Sequence, residues 1–284
     1  MSDYCDKCEA PLISKNGVIL WPVDERSATV TNLCQKCYLQ TYSSIRDFIA
    51  RKALVTGASK GIGAAIADVL YAEGHKVVGT YNKTIRNTSY EMVQFDANAE
   101  GFENVNSMYQ KARSALGYVD VLVNNLGMRR NPDDSLSGEE FLKRWEESLH
   151  VNLASVAALT KIFVQDCLAN HREAIVINIA SRVGLRGSPR GPEYAAAKAA
   201  MINFNQSMAI AYAKNAISFF SISPCWVDTD MADRLSDPKT RTDDIPAGRI
   251  ATVNDITPLV KFLCNSNPIM MTGQNFNVNG ASLF

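Results

Sequence analysis

Between the apolar run Ala53-Leu54-Val55 and an alanine-rich stretch lies Thr56-Gly57-Ala58-Ser59-Lys60-Gly61-Ile62-Gly63. A chain with this turn must end a strand, reverse tightly and feed straight into a helix. Gly57 suits the tight turn, Gly61 leaves the backbone open to a pyrophosphate, and Gly63 lets the helix lie close to the strand. The start of such a helix offers free N–H groups and the positive end of its dipole to phosphates. The pattern predicts a dinucleotide site. Glycine turns of this kind also arise for structural reasons alone, so its weight depends on the rest of the chain.

From Arg51 onward, strand-like apolar runs alternate with helical patterns: Ala53–Thr56, Val77–Thr80, Met92–Phe95, Val119–Val123, Ala174–Ile179, Ile217–Ile222 and Asn275–Val278. Seven strands separated by helices predict an α/β fold, a doubly wound parallel Rossmann sheet covered on both faces, over residues 49–284. Ser137-Gly138-Glu139-Glu140 forms a capping box that opens a long helix through Trp145 and Asn152. Pro192 opens the helix that carries Tyr194 and Lys198. The link between the second and third strands is too short for a full helix, and there is no internal repeat.

Charge and hydropathy exclude several classes. Twenty-nine basic residues balance 29 acidic ones, so no net field recruits nucleic acid or an anionic membrane. No run approaches the length of apolar sequence that spans a bilayer, and the N-terminus is polar, which predicts a cytoplasmic protein with no membrane partner.

Residues 1–48 read as a separate unit. Cys5-Asp6-Lys7-Cys8 and Cys34-Gln35-Lys36-Cys37 are two C-x-x-C knuckles, and between them Asn16-Gly17 is flanked by Leu12-Ile13 and Val18-Ile19-Leu20 as in a β-hairpin. Knuckle, hairpin, knuckle resembles a zinc ribbon in which Cys5, Cys8, Cys34 and Cys37 hold structural Zn²⁺, with iron in a rubredoxin-like site as the alternative. So short a segment has little core, so the metal would supply most of its folding energy. Its six acidic residues outnumber its five basic ones, so contact with another subunit or a protein partner is expected, not nucleic acid.

Four further stations join the glycine turn. Asn124-Asn125-Leu126-Gly127 ends the fourth strand, Asn152 lies mid-helix, Ser181 follows the fifth strand, and Tyr194-Ala195-Ala196-Ala197-Lys198 comes thereafter. With Asp228-Thr229-Asp230-Met231, Pro246-Ala247-Gly248-Arg249 and Thr272-Gly273-Gln274 leading to Val278-Asn279-Gly280, residues 51–284 resemble the short-chain dehydrogenase/reductase family. The likeness is greatest to its bacterial 3-oxoacyl-[acyl carrier protein] reductase branch. It implies Asn152, Ser181, Tyr194 and Lys198 as the catalytic set. For the cofactor it implies Gly57, Ser59, Lys60, Gly61, Ile62, Gly63, Asn82, Lys83, Asp96, Asn124, Gly127, Tyr194, Lys198, Pro224, Val227 and Thr229, with Asp96 at adenine.

The chemistry is consistent with those roles. Tyr194 and Lys198 are four apart and share a helix face, where an ammonium favours the phenolate and lowers the tyrosine toward the operating range. Tyr194 then donates a proton to a carbonyl oxygen that Ser181 positions. The resemblance adds that Lys198 holds the nicotinamide ribose and Asn152 a water that relays protons to it. The second strand, through Tyr81-Asn82-Lys83-Thr84-Ile85-Arg86, lacks the carboxylate that an NAD enzyme places on the ribose. Lys60, with Lys83 or Arg86, can instead neutralise a 2′-phosphate, which selects NADPH.

The expected activity is NADPH-dependent reduction of a 3-oxoacyl thioester or related ketone, the substrate free or presented on a carrier protein. The rival is a non-catalytic NADP-binding scaffold whose ribbon recruits a partner. A homo-oligomer, dimer or tetramer, is expected through the alanine-rich face of Ala195–Ala213, by likeness to the family. Leu126 and Cys225 depart from the small residues usual at their positions, and Met208-Ala209-Ile210-Ala211 lacks the carrier-docking charges of the reductase branch. Arg129, Arg130, Arg182, Arg186 and Arg190 are expected around the mouth of the site, where they would engage an anionic substrate or carrier.

Overall fold

The computed structural model describes residues 50–99, 101–133, 135–235 and 238–282. The four-cysteine segment, with Cys5, Cys8, Cys34, Cys37 and the Asn16-Gly17 hairpin, lies outside the described residues.

The elements run β1 (Lys52–Val55), α1 (Gly61–Ala72), β2 (Lys76–Tyr81), β3 (Glu91–Gln94), α2 (Phe102–Leu116), β4 (Val121–Asn124), α3 (Gly138–Leu149) and, after a π-helical turn at His150–Ala154, α4 (Ser155–Ala169). There follow β5 (Ala174–Ile179), α5 (Val183–Arg186), α6 (Pro192–Tyr212), β6 (Ile217–Pro224), α7 (Asp230–Leu235), α8 (Pro238–Asp243), α9 (Thr257–Ser266) and β7 (Asn275–Val278). Among the described residues the strands form one seven-stranded sheet in the order β3-β2-β1-β4-β5-β6-β7, every pair parallel. The expected doubly wound sheet is present, and no helix joins β2 to β3.

Strand alternation builds two cores. Leu54, Val78, Leu122, Val176 and Phe219 point to one face, against Val105, Met108 and Tyr109 of α2 and Leu159, Ile162 and Phe163 of α4. Their neighbours Val55, Val77, Val123, Ile177 and Phe220 point to the other, against Ile66 and Leu70 of α1 and Val260 and Leu263 of α9. Strands buried on both faces need near-continuous apolar sequence, which is why these runs were legible as strands. By length and composition, Gly138–Ala169 would suffice to cross a membrane. Its α4 half instead buries Leu159, Ile162 and Phe163 against the sheet, as a core helix does.

The strand order reverses between β1 and β4, so their connections leave in opposite directions and open a crevice at the carboxyl ends of the strands. Two helix starts shape the approach to it. At α3 the Ser137 N–H donates to Glu140 Oε2 at 2.9 Å and Ser137 Oγ accepts from the Glu140 N–H at 3.4 Å, the expected capping box. Pro192 lies in the first turn of α6, as expected. The long helix predicted through Asn152 is present, with a π-helical turn at His150–Ala154 inside it between the α3 and α4 portions.

Candidate active site

A cavity of about 460 Å³ occupies the crevice. Its floor is the β1–α1 turn. Gly61 has φ +58°, a left-handed conformation that side chains resist, and a Cβ there would also lie 3.3 Å from the Thr229 methyl. A Cβ at Gly63 would lie 2.3 Å from the Gly57 carbonyl oxygen, so glycine alone lets α1 close onto the turn. Thr80 Oγ1 accepts the Gly57 N–H at 3.0 Å, and Asn125 Nδ2 donates to the Thr56 and Gly57 carbonyls at 3.0 and 3.2 Å. No side chain caps α1, so the N–H groups of its first turn face the cavity that Gly61 and Ile62 line. A narrow glycine cradle under an uncapped helix start fits a pyrophosphate.

Of the residues expected at the cofactor, Gly57, Ser59, Lys60, Gly61, Ile62, Asn82, Gly127, Tyr194, Lys198, Pro224, Val227 and Thr229 line the cavity. The others stand off it. Gly63 serves helix packing. Asn124 is fully buried and donates to Asn178 Oδ1 at 2.9 Å and Thr160 Oγ1 at 3.2 Å. Strand alternation hands the cavity to its neighbour Asn125 instead. Asp96 accepts from Asn82 Nδ2 at 3.1 Å and from the Asn98 N–H at 3.0 Å, so it shapes the wall formed by Asn82, Ala97 and Asn98. Lys83 is exposed beyond the lining, and Arg86 is held by Asp68 and Tyr90. Lys60 remains at the mouth, 3.4 Å from Asp230 in an exposed pair. Such pairs are weak, so its charge stays available.

The other end of the cavity gathers Ser181, Tyr194 and Lys198. Ser181 follows β5, and its hydroxyl faces the Tyr194 phenol closely enough to favour the phenolate. Lys198 is buried; its Nζ donates to the Ile179 carbonyl at 2.8 Å and lies 5.7 Å from the centre of the Tyr194 ring. Burial pushes this amine down to about 7. The expectation that Tyr194 is lowered is not met in the protein alone. Burial raises the phenol, and the opposing charge is the guanidinium of Arg129, with the Ser181 hydroxyl as a further lowering influence.

Asn152 is fully buried in the π-helical turn. Its Oδ1 accepts the Met128 N–H at 2.9 Å, and its Nδ2 donates to the Met128 and Ser148 carbonyls, each at 2.9 Å. The side chain therefore clamps the loop after β4 and has little capacity left to hold a water. Gly127 lies between the two groups: a Cβ there would be 3.0 Å from Asn152 Oδ1 and 3.6 Å from Lys198 Nζ. Leu126 packs toward the α2–α4 core while lining the cavity. Cys225 is half-buried, its thiol raised by burial, which suits a filler and not a nucleophile.

The five expected arginines part company. Arg130 pairs with Glu147 at 2.5 Å, Arg182 and Arg186 both converge on Asp244, and Arg190 is exposed away from the lining. Only Arg129 of the five lines the cavity, its guanidinium between the rings of Tyr194 and Trp226. Trp226 was not anticipated, since only the contact across the cavity marks it.

The chain is similar to several known proteins. The sequence model of a family described as short chain dehydrogenase matches residues 51–240. The chain is 36% identical over 244 residues to the 3-oxoacyl-[acyl-carrier-protein] reductase of Escherichia coli (strain K12), covering 82% of this chain and 98% of that one. It is 34% identical to nodulation protein G of Rhizobium sp. (strain N33), covering 82% and 97%. Among solved structures it is similar to a 3-ketoacyl-(acyl-carrier-protein) reductase from Brucella melitensis complexed with NADH, with a TM-score of 0.74 and 25% identity over 82% of this chain and 98% of that one.

Proposed function

The chain belongs to the short chain dehydrogenase family, and on that basis we propose that it is an NADPH-dependent carbonyl reductase that converts a 3-oxoacyl thioester or related ketone to the hydroxy product. The observation that carries this reading is the convergence of Ser181, Tyr194 and Lys198 on the cavity that the glycine cradle also lines.

The cradle at Gly57, Ser59, Gly61 and Ile62 holds the pyrophosphate on the α1 start, and Lys60 reads a 2′-phosphate where β2 offers no carboxylate. When bound, the reduced cofactor supplies the hydride that adds to the carbonyl carbon. Tyr194 gives its phenolic proton to the carbonyl oxygen, so C=O becomes CH–OH. Ser181 donates a hydrogen bond to the same oxygen and afterwards steadies the phenolate. Arg129 supports that anion from the ring face, 5.6 Å away. Lys198, anchored on Ile179, would hold the nicotinamide ribose, and Asn152 clamps the Met128 backbone in the loop after β4.

Residues 1–48 carry structural zinc on Cys5, Cys8, Cys34 and Cys37, on the strength of the paired knuckles. The protein works in the cytoplasm as a homodimer or homotetramer; exposed Phe141 and Leu142 on α3 and Ile210 on α6 supply apolar surface for that assembly. Where the substrate is carrier-bound, the acyl chain enters beside α7, whose Met231 and Ala232 line the cavity. The reading is tested by following NADPH and NADH oxidation over a panel of 3-oxoacyl thioesters and free ketones. Reduction of at least one thioester with higher kcat/KM for NADPH supports it. No turnover on any carbonyl contradicts it.

A further inference from the structure

Arg129 leaves the β4 turn and lies half-buried on the same cavity wall as Ser181 and Tyr194. Its Cζ is 5.6 Å from the centre of the Tyr194 ring and 5.1 Å from that of Trp226, so two aromatic faces fix the plane of the guanidinium. Its hydrogen bonding is incomplete. Nη2 donates to Ser188 Oγ at 3.4 Å, while the Nε–H is buried without a partner. No carboxylate among the described residues forms an ion pair with it. Glu193, the acid whose field reaches it, is taken by Arg144 at 2.9 Å. Every other arginine after β4 or β5 that is drawn toward the site is neutralised or lies off the cavity.

A half-buried guanidinium with free donors beside a proton-donating tyrosine is a receptor for an anion. We propose that the ketone taken at this site carries a carboxylate within a few bonds of its carbonyl, and that Arg129 reads it. The proposal rests on the reductase reading and takes its related-ketone branch, an oxo acid in place of a neutral 3-oxoacyl thioester. The recorded neighbours of Arg129 are Tyr194, Trp226, Ser188 and Gly191, none of them in the glycine cradle, so the cofactor phosphates are not its target. Nor is the phosphate of a pantetheine arm, which ends many bonds beyond the thioester, whereas Arg129 lies against Tyr194.

The test uses the full chain with NADPH and a series of 2-, 3- and 4-oxo acids, each beside its neutral methyl ester. The wild type should favour one acid over its ester. In R129M the acid-to-ester ratio of kcat/KM should fall by about 10- to 100-fold, the range for hydrogen bonds to a charged group. R129K, which keeps charge but loses the planar fork, should recover part of it. The ratio cancels any effect of Arg129 on Tyr194 that both substrates share. Equal use of acids and esters by the wild type, or equal losses in R129M, would overturn the proposal. Calorimetric titration of the NADP⁺-loaded protein with the same acids separates this from the reductase reading. Arg129-dependent binding with no turnover of any acid, ester or 3-oxoacyl thioester upholds the anion site and sinks the reductase. Absence of Arg129-dependent binding sinks the anion site whatever the turnover.

Discussion

Lys198 and Tyr194 are held where burial works against the charge of each. The amine is lowered to about 7 by desolvation, and the phenol is raised for the same reason. A reductase needs the tyrosine protonated before transfer, which its raised value secures at neutral pH. It is also helped by a charged Lys198, whose ammonium adds to Arg129 in supporting the phenolate afterwards. Lys198 carries its proton below about pH 7 and loses it above, so kcat/KM for reduction should fall as pH rises between about 6 and about 8. A pH profile at saturating NADPH checks this, and a kcat/KM that climbs through that window would contradict it. The Tyr194–Lys198 pair was legible because its spacing of four is a property of one helix. The Arg129–Tyr194 contact was not, since it joins the loop after β4 to α6. For the same reason the sequence showed five arginines near the mouth and could not say which ones would find carboxylates. Arg182 and Arg186 found Asp244, some sixty residues away, and Arg86 found Asp68 instead of the cofactor site.

At the level of elements, the strands and the starts of α3 and α6 were readable, because each depends on local sequence: doubly buried apolar runs, a capping box, a proline in the first turn. The π-helical turn was not. His150-Val151-Asn152-Leu153-Ala154 is ordinary helical sequence, and Asn152 meets the Met128 backbone only once β4 and α4 are packed. The same tertiary logic governs the segment after β6. Arg182, directly after Ser181 and almost fully buried, donates to the Asp244 carbonyl at 3.1 Å and pairs with its carboxylate, while Arg186 holds Asp244 at 2.8 Å and the Ser282 carbonyl at 3.1 Å. One carboxylate thus fastens α5 to the region beyond α8. Asp244→Asn should leave the Arg182 guanidinium poorly paired and lower the unfolding free energy by about 1–3 kcal/mol. It should also raise KM for the ketone more than it lowers kcat, because Arg182 adjoins the residue that positions the carbonyl. Denaturant melts and steady-state kinetics read both effects. A variant as stable as the wild type with unchanged KM would show that the clasp does not shape the site.

At the scale of the whole molecule, the proposed zinc on residues 1–48 and the proposed oligomer each have a direct test. Two C-x-x-C knuckles with little core between them call for about one zinc per chain. Elemental analysis of the purified protein should find it; a metal-free protein, or iron with a rubredoxin-like absorbance, would remove the ribbon from the account. Light scattering should report a dimer or tetramer, and a strict monomer at micromolar concentration would leave exposed Phe141, Leu142 and Ile210 unexplained. The central claim is that the cavity shared by the glycine cradle and Tyr194 reduces a ketone by proton donation from that tyrosine. It is tested most directly by comparing the wild type and Tyr194→Phe in NADPH oxidation with the thioester or oxo acid that the wild type reduces fastest, with NADPH affinity measured on both. The phenol should account for about 10²- to 10⁴-fold of turnover, while NADPH affinity stays within a few-fold. Near-normal turnover in Tyr194→Phe would contradict the claim.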